Sequence, residues 1–218
     1  MKAQEREGDV MAFRTFGNII TSVFIPLALT ASISNAQEQR SVSAAKGLLV
    51  GAKAPLFKAV DKDGNSFELA TLLQKGPVVL IFYRGQWCPY CNRHLRALQD
   101  SFDLIHDKGA SIVAVSPEKP QFLIKSAEKT GAQFTLLFDA GFAISNAYDV
   151  TITPGDAQLK VYNEKLGADL AHSQSDESER LPIPATFIID RNGIIVWRQF
   201  DPDYRKRSST SDILDNIP

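Results

Sequence analysis

The sequence predicts a three-layer α/β sandwich on three observations. Continuous apolar, β-rich runs alternate with segments whose apolar residues recur at helical spacing. The chain closes on a hairpin pattern, two β-rich runs around Asp190-Arg191-Asn192-Gly193. Its 218 residues carry apolar and charged side chains in ordinary proportions at a formal net charge of -1, which suits one domain with a sizeable core. Acids and bases are mixed along the chain, so no basic face offers itself to nucleic acid.

The N-terminal residues stand apart. Residues 1–36 read as a targeting segment: Arg14 supplies a positive charge, residues 19–31 are apolar around Pro26, and Ser34-Asn35-Ala36 has small residues where a signal peptidase cuts. The apolar part is short for a membrane span, so no stable span is expected after processing. This layout predicts export, with the bacterial periplasm as the compartment; an uncleaved anchor is the alternative. The residues before Met11 are acidic for such a segment, which makes Met11 a candidate initiator. Residues 37–50 read as a polar linker and 51–218 as the folded domain.

Within that domain Ala54-Pro55-Leu56-Phe57-Lys58-Ala59-Val60 is a short strand, Asp61-Lys62-Asp63-Gly64-Asn65 a turn, and Ser66-Phe67-Glu68-Leu69 the return. A helical turn at 71–74 stops at Gly76-Pro77. Residues 78–83 are β-rich without alternation, as in a strand buried on both faces. From Pro89 to His106, Leu95, Leu98, Phe102 and Ile105 fall at helical spacing, and Gly109 ends the pattern. Residues 112–115 and 134–138 are further strands, separated by a helix that Ser116-Pro117-Glu118 enters and that runs to Lys129. Ser116 and Glu118 read as helix-entry residues. A short helix at 140–148, a helix at 156–170, a charged mobile stretch at 173–180 and a last helix from 211 complete the reading. Arg205-Lys206-Arg207 reads as a solvated turn, and His94 as a surface histidine.

Cys88 and Cys91, the only cysteines, lie three residues apart at the junction of the 78–83 strand and the helix after it. Two thiols one helical turn apart can close on each other, which is the arrangement of a redox pair. Pro89 suits the first helical position, so Cys88 sits at the helix N-terminus, where unpaired N–H groups favour a thiolate. Cys91 is one turn in, on nearly the same face, placed to attack a modified Cys88 sulfur. Arg84 is close enough in sequence to add positive charge. Two buried structural thiols are the plain alternative. Structural zinc wants four ligands, and haem attachment needs a histidine directly after the second cysteine, where this chain has Asn92. No metal or cofactor is expected. Further on, Pro184 precedes a β-rich run, where a proline is tolerated because it gives nothing to the ladder.

With those residues in place, the chain resembles the peroxiredoxins, the alkyl hydroperoxide reductase/thiol-specific antioxidant branch of the thioredoxin-fold superfamily. The carriers are Gly51-Ala52-Lys53-Ala54-Pro55-Leu56-Phe57, Asp63-Gly64, Val79-Leu80-Ile81-Phe82-Tyr83 leading to Trp87-Cys88-Pro89, and Pro184-Ala185-Thr186-Phe187-Ile188-Ile189-Asp190 with Gly193. The resemblance implies a thioredoxin-like fold with a central mixed sheet. It implies that Cys88 is the peroxidatic cysteine and that Pro184 is the cis-proline facing the active site. Peroxiredoxins carry Pro and Thr or Ser seven and three residues before the reactive cysteine; here those places hold Ile81 and Gly85. The family's second active-site arginine is also unmatched, and Cys88-Pro89-Tyr90-Cys91 is similar to the glutaredoxin dithiol motif.

Two functions follow as expectations. In the first, a thiol peroxidase, Cys88 reduces hydrogen peroxide or an organic hydroperoxide and becomes a sulfenic acid. Cys91 resolves it to a Cys88–Cys91 disulfide, and a thioredoxin-like dithiol restores both thiols. Arg84, Trp87 and Pro184 position the substrate. In the second, a protein thiol–disulfide oxidoreductase, the same pair exchanges with a substrate disulfide. A redox-sensing module on the same fold is a third, non-catalytic class.

Overall fold

The computed structural model describes residues 41–218, so the targeting segment expected in residues 1–36 lies outside the described residues. The fold is built along the chain as follows. Strand β1 (Lys58–Asp61) turns through Gly64, at φ +84°, into β2 (Ser66–Glu68) and helix α1 (Leu69–Leu73). Strand β3 (Val78–Phe82) leads to α2 (Pro89–Asp100), α3 (Phe102–Asp107) and β4 (Ser111–Ser116). Helix α4 (Pro120–Thr130), β5 (Thr135–Phe138) and α5 (Ala143–Ala147) follow. A short ribbon strand β6 (Thr151–Ile152), α6 (Asp156–Lys160) and α7 (Leu170–Ser173) precede β7 (Leu181–Pro182). The hairpin β8 (Ala185–Ile189) and β9 (Ile195–Phe200), then α8 (Thr210–Asn216), end the chain.

Seven strands form one mixed sheet in the order β2-β1-β5-β4-β3-β8-β9. Strand β3 lies near its middle, parallel to β4 and antiparallel to β8. All five β3 residues are buried, because the sheet is covered on both sides. Successive side chains point to opposite faces. Val79 and Ile81 therefore join one core with Leu95, Leu98 and Leu123 of α2 and α4. Val78, Leu80 and Phe82 join the other, with Leu69 of α1 and Ile144 of α5. Burying each such side chain contributes roughly 1.5–3 kcal/mol before the entropy of ordering it. The three-layer α/β sandwich with a mixed sheet is thus observed. Among the described residues no helix is long and apolar enough to cross a membrane.

The irregular segments differ from the sequence reading. The single helix expected from Pro89 to His106 is two, broken at Ser101, whose φ of -114° and ψ of 14° leave the helical region. The helix expected over 156–170 ends early. Its middle widens into a π-turn at Val161–Lys165, and Gly167 and Asp169 then take left-handed φ values of +63° and +44°. Asn163 replaces the lost helix bonds: its Oδ1 accepts from Leu170 N at 3.0 Å and its Nδ2 donates to Glu179 Oε1 at 2.7 Å. The stretch 173–180, expected to be mobile, is anchored. Ser173 and Gln174 are buried, Arg180 pairs with Asp176 at 2.7 Å, and its guanidinium lies 4.4 Å over the Phe142 ring. Residues 41–50, expected as linker, are pinned to β9, where Arg198 Nη1 donates to the carbonyls of Lys46, Gly47 and Leu48.

Candidate active site

The site is built where β3 runs out. Tyr83 to Trp87 form a tight loop, and Cys88 is the N-cap of α2 with Pro89 in its first turn. The loop is clamped from two sides: Asn92 Nδ2 donates to Gln86 O at 2.8 Å, and Gln86 N donates to Glu118 Oε2 at 2.8 Å. Both cysteines are free and buried.

Arg84 Nη2 donates to Cys88 Sγ at 3.3 Å. The Cys88 thiol is brought down to about 5; the bond from the Cys91 thiol lowers it most, the Arg84 cation adds to that, and burial opposes both. Cys88 is therefore a thiolate at neutral pH, the nucleophilic form. Cys91 moves the other way: burial, the bond it gives Cys88 and the charge beside it push its thiol well above the usual range. Its sulfur accepts from Arg84 N at 3.5 Å and from Arg207 Nη2 at 3.6 Å.

Arg84 is itself caged. Its guanidinium carbon is 5.0 Å from the Trp87 ring, 4.7 Å from Tyr162 and 4.0 Å from Tyr204. The aromatic faces favour the cation and exclude water, which strengthens its pull on the Cys88 sulfur. A cavity of about 80 Å³ opens on the cage, between Arg84, Tyr162, Tyr204, Ile183, Pro184 and Val42.

Cys88, Cys91, Arg84 and Trp87 therefore meet, and Pro184 lines the same cavity as Arg84. The cis bond implied for Pro184 is not there: no peptide bond among the described residues is cis. The ordinary trans form is kept as the chain enters β8, with Ile183 N bonded to Val150 O at 2.7 Å.

Three further readings are corrected. Glu118 does not enter a helix, since α4 begins at Pro120 behind Lys119. It is fully buried behind the loop, and burial raises its carboxyl to about 8. Gly85 makes room for it: at φ +155°, a Cβ there would lie 2.5 Å from Glu118 Oε1 and 2.7 Å from Trp87 Nε1. The volume a side chain at position 85 would need is thus filled by a carboxyl group from another segment. His94 is buried too, with Nε2 3.1 Å from Ser208 Oγ, which lies 2.8 Å from Thr186 Oγ1. Burial and then the Arg207 charge lower its imidazole to about 3. The signal was present: His94 shares the buried face of α2 with Cys91, Leu95 and Leu98. The turn at 205–207 is only partly solvated. Arg205 and Lys206 are exposed and paired with Asp203 and Asp201, whereas Arg207 turns inward to Cys91. Nothing local in the sequence marks Arg207, Tyr162 or Tyr204. Among the described residues no cluster of His, Cys, Asp or Glu is placed to hold a metal ion.

Comparison with known proteins adds the following. The AhpC/TSA family model matches residues 50–198. The thiol-disulfide oxidoreductase ResA of Geobacillus kaustophilus (strain HTA426) is 25% identical over 176 residues, covering 80% of this chain and 83% of that protein. The chloroplastic peroxiredoxin Q of Populus jackii is 28% identical over 156 residues, covering 70% of this chain and 62% of that protein. Among solved structures, peroxidoxin BcpB from Mycobacterium tuberculosis shares the fold, with a TM-score of 0.59 at 22% identity over 77% of this chain and 94% of that one.

Proposed function

The chain belongs to the AhpC/TSA family, whose model matches more than half of it, and within that redox family of thioredoxin-like fold we propose that it is a thiol-dependent peroxidase. One observation carries this reading. The Cys88 sulfur is wholly buried against the Arg84 guanidinium, and the cavity ending on Arg84 measures about 80 Å³. A molecule the size of a peroxide fits such a space beside Arg84, since a water needs roughly 10–15 Å³ of it.

The reaction follows from the charges. The Cys88 thiolate attacks one peroxide oxygen; an S–O bond forms, the O–O bond breaks, and the leaving oxygen takes up a proton. Cys88 is left as a sulfenic acid. Arg84 stands at the sulfur, where negative charge builds on the breaking bond, and is pre-oriented by its aromatic cage. Cys91 then closes the disulfide, and a thioredoxin-like dithiol returns both thiols. The targeting pattern of residues 1–36 supports export, which would place this chemistry in an oxidising compartment.

The test is stopped-flow Trp fluorescence of the reduced chain mixed with hydrogen peroxide. Trp87 adjoins the nucleophile and reports its oxidation. A fast second-order change that is lost in Cys88→Ser, with sulfenic acid trapped in Cys91→Ser, is the expected result. A Cys88→Ser protein that consumes peroxide at the parent rate sinks the reading.

A second reading has its own support. The Cys-x-x-Cys pair, the absent Thr or Ser at Gly85 and the likeness to a thiol-disulfide oxidoreductase favour disulfide exchange by Cys88. Reduction of insulin disulfides with no peroxide-driven oxidation would select it.

A further inference from the structure

Cys91 poses a problem that the peroxidase chemistry leaves open. To close the disulfide it must attack as a thiolate, yet it is buried beside the Cys88 thiolate and faces groups that bring it no positive charge. The Cys88 sulfur is its neighbour on α2, His94 lies on the next turn of that helix, Tyr83 stands at the end of β3, and Glu118 lies behind the loop. None of these four is a cation in the folded protein at neutral pH: His94 is held neutral, Tyr83 is pushed above the usual phenol range, and Glu118 is a buried carboxyl. Positive charge reaches Cys91 from Arg84 and Arg207. The Arg84 side chain is committed to Cys88, and only its backbone N–H touches Cys91. Arg207 brings a guanidinium to the Cys91 sulfur at 3.6 Å, across 116 residues of sequence.

The approach is secured by its neighbour. Ser208 is buried, and its Oγ sits between His94 Nε2 at 3.1 Å and Thr186 Oγ1 at 2.8 Å. This ties the segment before α8 to α2 and to β8 at once. A side chain next to such a clasp has little freedom to swing away.

We propose that Arg207 is a catalytic residue of disulfide closure, holding Cys91 as the attacking thiolate, with Ser208 and His94 as the residues that position it. In the step itself Cys91 gives up its proton, its sulfur attacks the Cys88 sulfenic sulfur, the S–S bond forms and the S–O bond breaks. The departing hydroxide takes the proton and leaves as water, so no further oxidant or reductant is needed. Arg207's role rests on the reading of Cys91 as the resolving thiol, and not on the oxidant being a peroxide.

The experiment separates those two dependencies. Reduced full chain is treated with methyl methanethiosulfonate, which is small and places a methylthio group on Cys88. Loss of that group, as Cys91 closes the disulfide and releases methanethiol, is followed by acid quench and intact mass from pH 5 to 10. Arg207→Ala is expected to slow closure about tenfold at neutral pH and to move its pH midpoint upward, since a tenfold loss of thiolate accompanies each unit of pKa. Arg207→Lys recovers part of the rate and of the midpoint, which shows that charge rather than folding is at issue. Ser208→Ala shifts the midpoint in the same direction by less. Closure in Arg207→Ala at the parent rate and midpoint overturns the proposal. So does an equal slowing at every pH that lysine does not relieve. If hydrogen peroxide fails to oxidise the parent while methylthio closure still depends on Arg207, the peroxidase reading fails and the role of Arg207 stands.

Discussion

Cys88 and Cys91 are three residues apart and equally hidden from solvent, yet their acidities diverge. Burial acts on both in the same direction, against the thiolate. For Cys88 it is outweighed by the Cys91 hydrogen bond and by a guanidinium stripped of water. For Cys91 it is reinforced by the thiolate next door. Acidity at this helix N-terminus is therefore decided by the direction of the bond between the two sulfurs and by where the Arg84 guanidinium points, not by depth. The pair also behaves as one unit, because each proton position stabilises the other.

The largest way to break this contrast is Arg84→Met. It keeps length and removes the charge, so the Cys88 thiol should rise from about 5 toward the ordinary cysteine range. Oxidation of Cys88 at pH 6.5 should slow by about tenfold to a hundredfold, with the loss shrinking as pH rises. Thiolate ultraviolet absorbance against pH, read beside stopped-flow rates, checks it; an unmoved titration would show that the Cys91 bond acts alone.

Glu118→Gln sharpens the comparison from behind the loop. The folded carboxyl titrates at about 8, well above its unfolded value. Between those values the native state holds a proton that the unfolded chain has released, so this group's contribution to stability falls as pH rises. Glutamine keeps an acceptor for Gln86 N and has no charge to bury. The variant should match the parent near pH 4 and exceed it by several kcal/mol, on the order of 4–5, at pH 9 in urea melts. Equal stabilities at pH 9 would mean that the carboxylate is compensated in place.

The smallest expected effect is at the cage. Tyr204→Ala removes the ring nearest the Arg84 guanidinium, at 4.0 Å. Losing one such contact should cost roughly 1 kcal/mol, about a fivefold change in Cys88 reactivity toward peroxide. Alkylation of Cys88 by iodoacetamide should quicken as the cavity opens. If both rates stay put, Tyr204 packs without tuning.

What could be read from the sequence is what local chemistry decides. Pro89 after Cys88, and an apolar run before them, fix the strand-to-helix junction because both act within a few residues. The five-residue β3, apolar at every position, announces a strand covered on both faces. The cage and Arg207 are not legible, since Tyr162, Tyr204 and Arg207 reach the loop from segments distant in sequence. The π-turn at Val161–Lys165 is hidden for a related reason: Asn163 finds partners at Leu170 and Glu179 that outcompete a regular helix. His94 is the intermediate case. Its spacing from Cys91, Leu95 and Leu98 places it inside, while its polarity argues for the surface, and the Ser208 hydroxyl resolves the conflict in favour of spacing.

Gly85 has a consequence for any side chain placed there. The volume a side chain would need there is occupied by the Glu118 carboxyl. A side chain at position 85 and the carboxyl at position 118 compete for a single space. An alanine at position 85 would therefore push the Glu118 carboxyl off the Gln86 amide or tilt the Trp87 indole, and so loosen the loop on the side opposite Asn92.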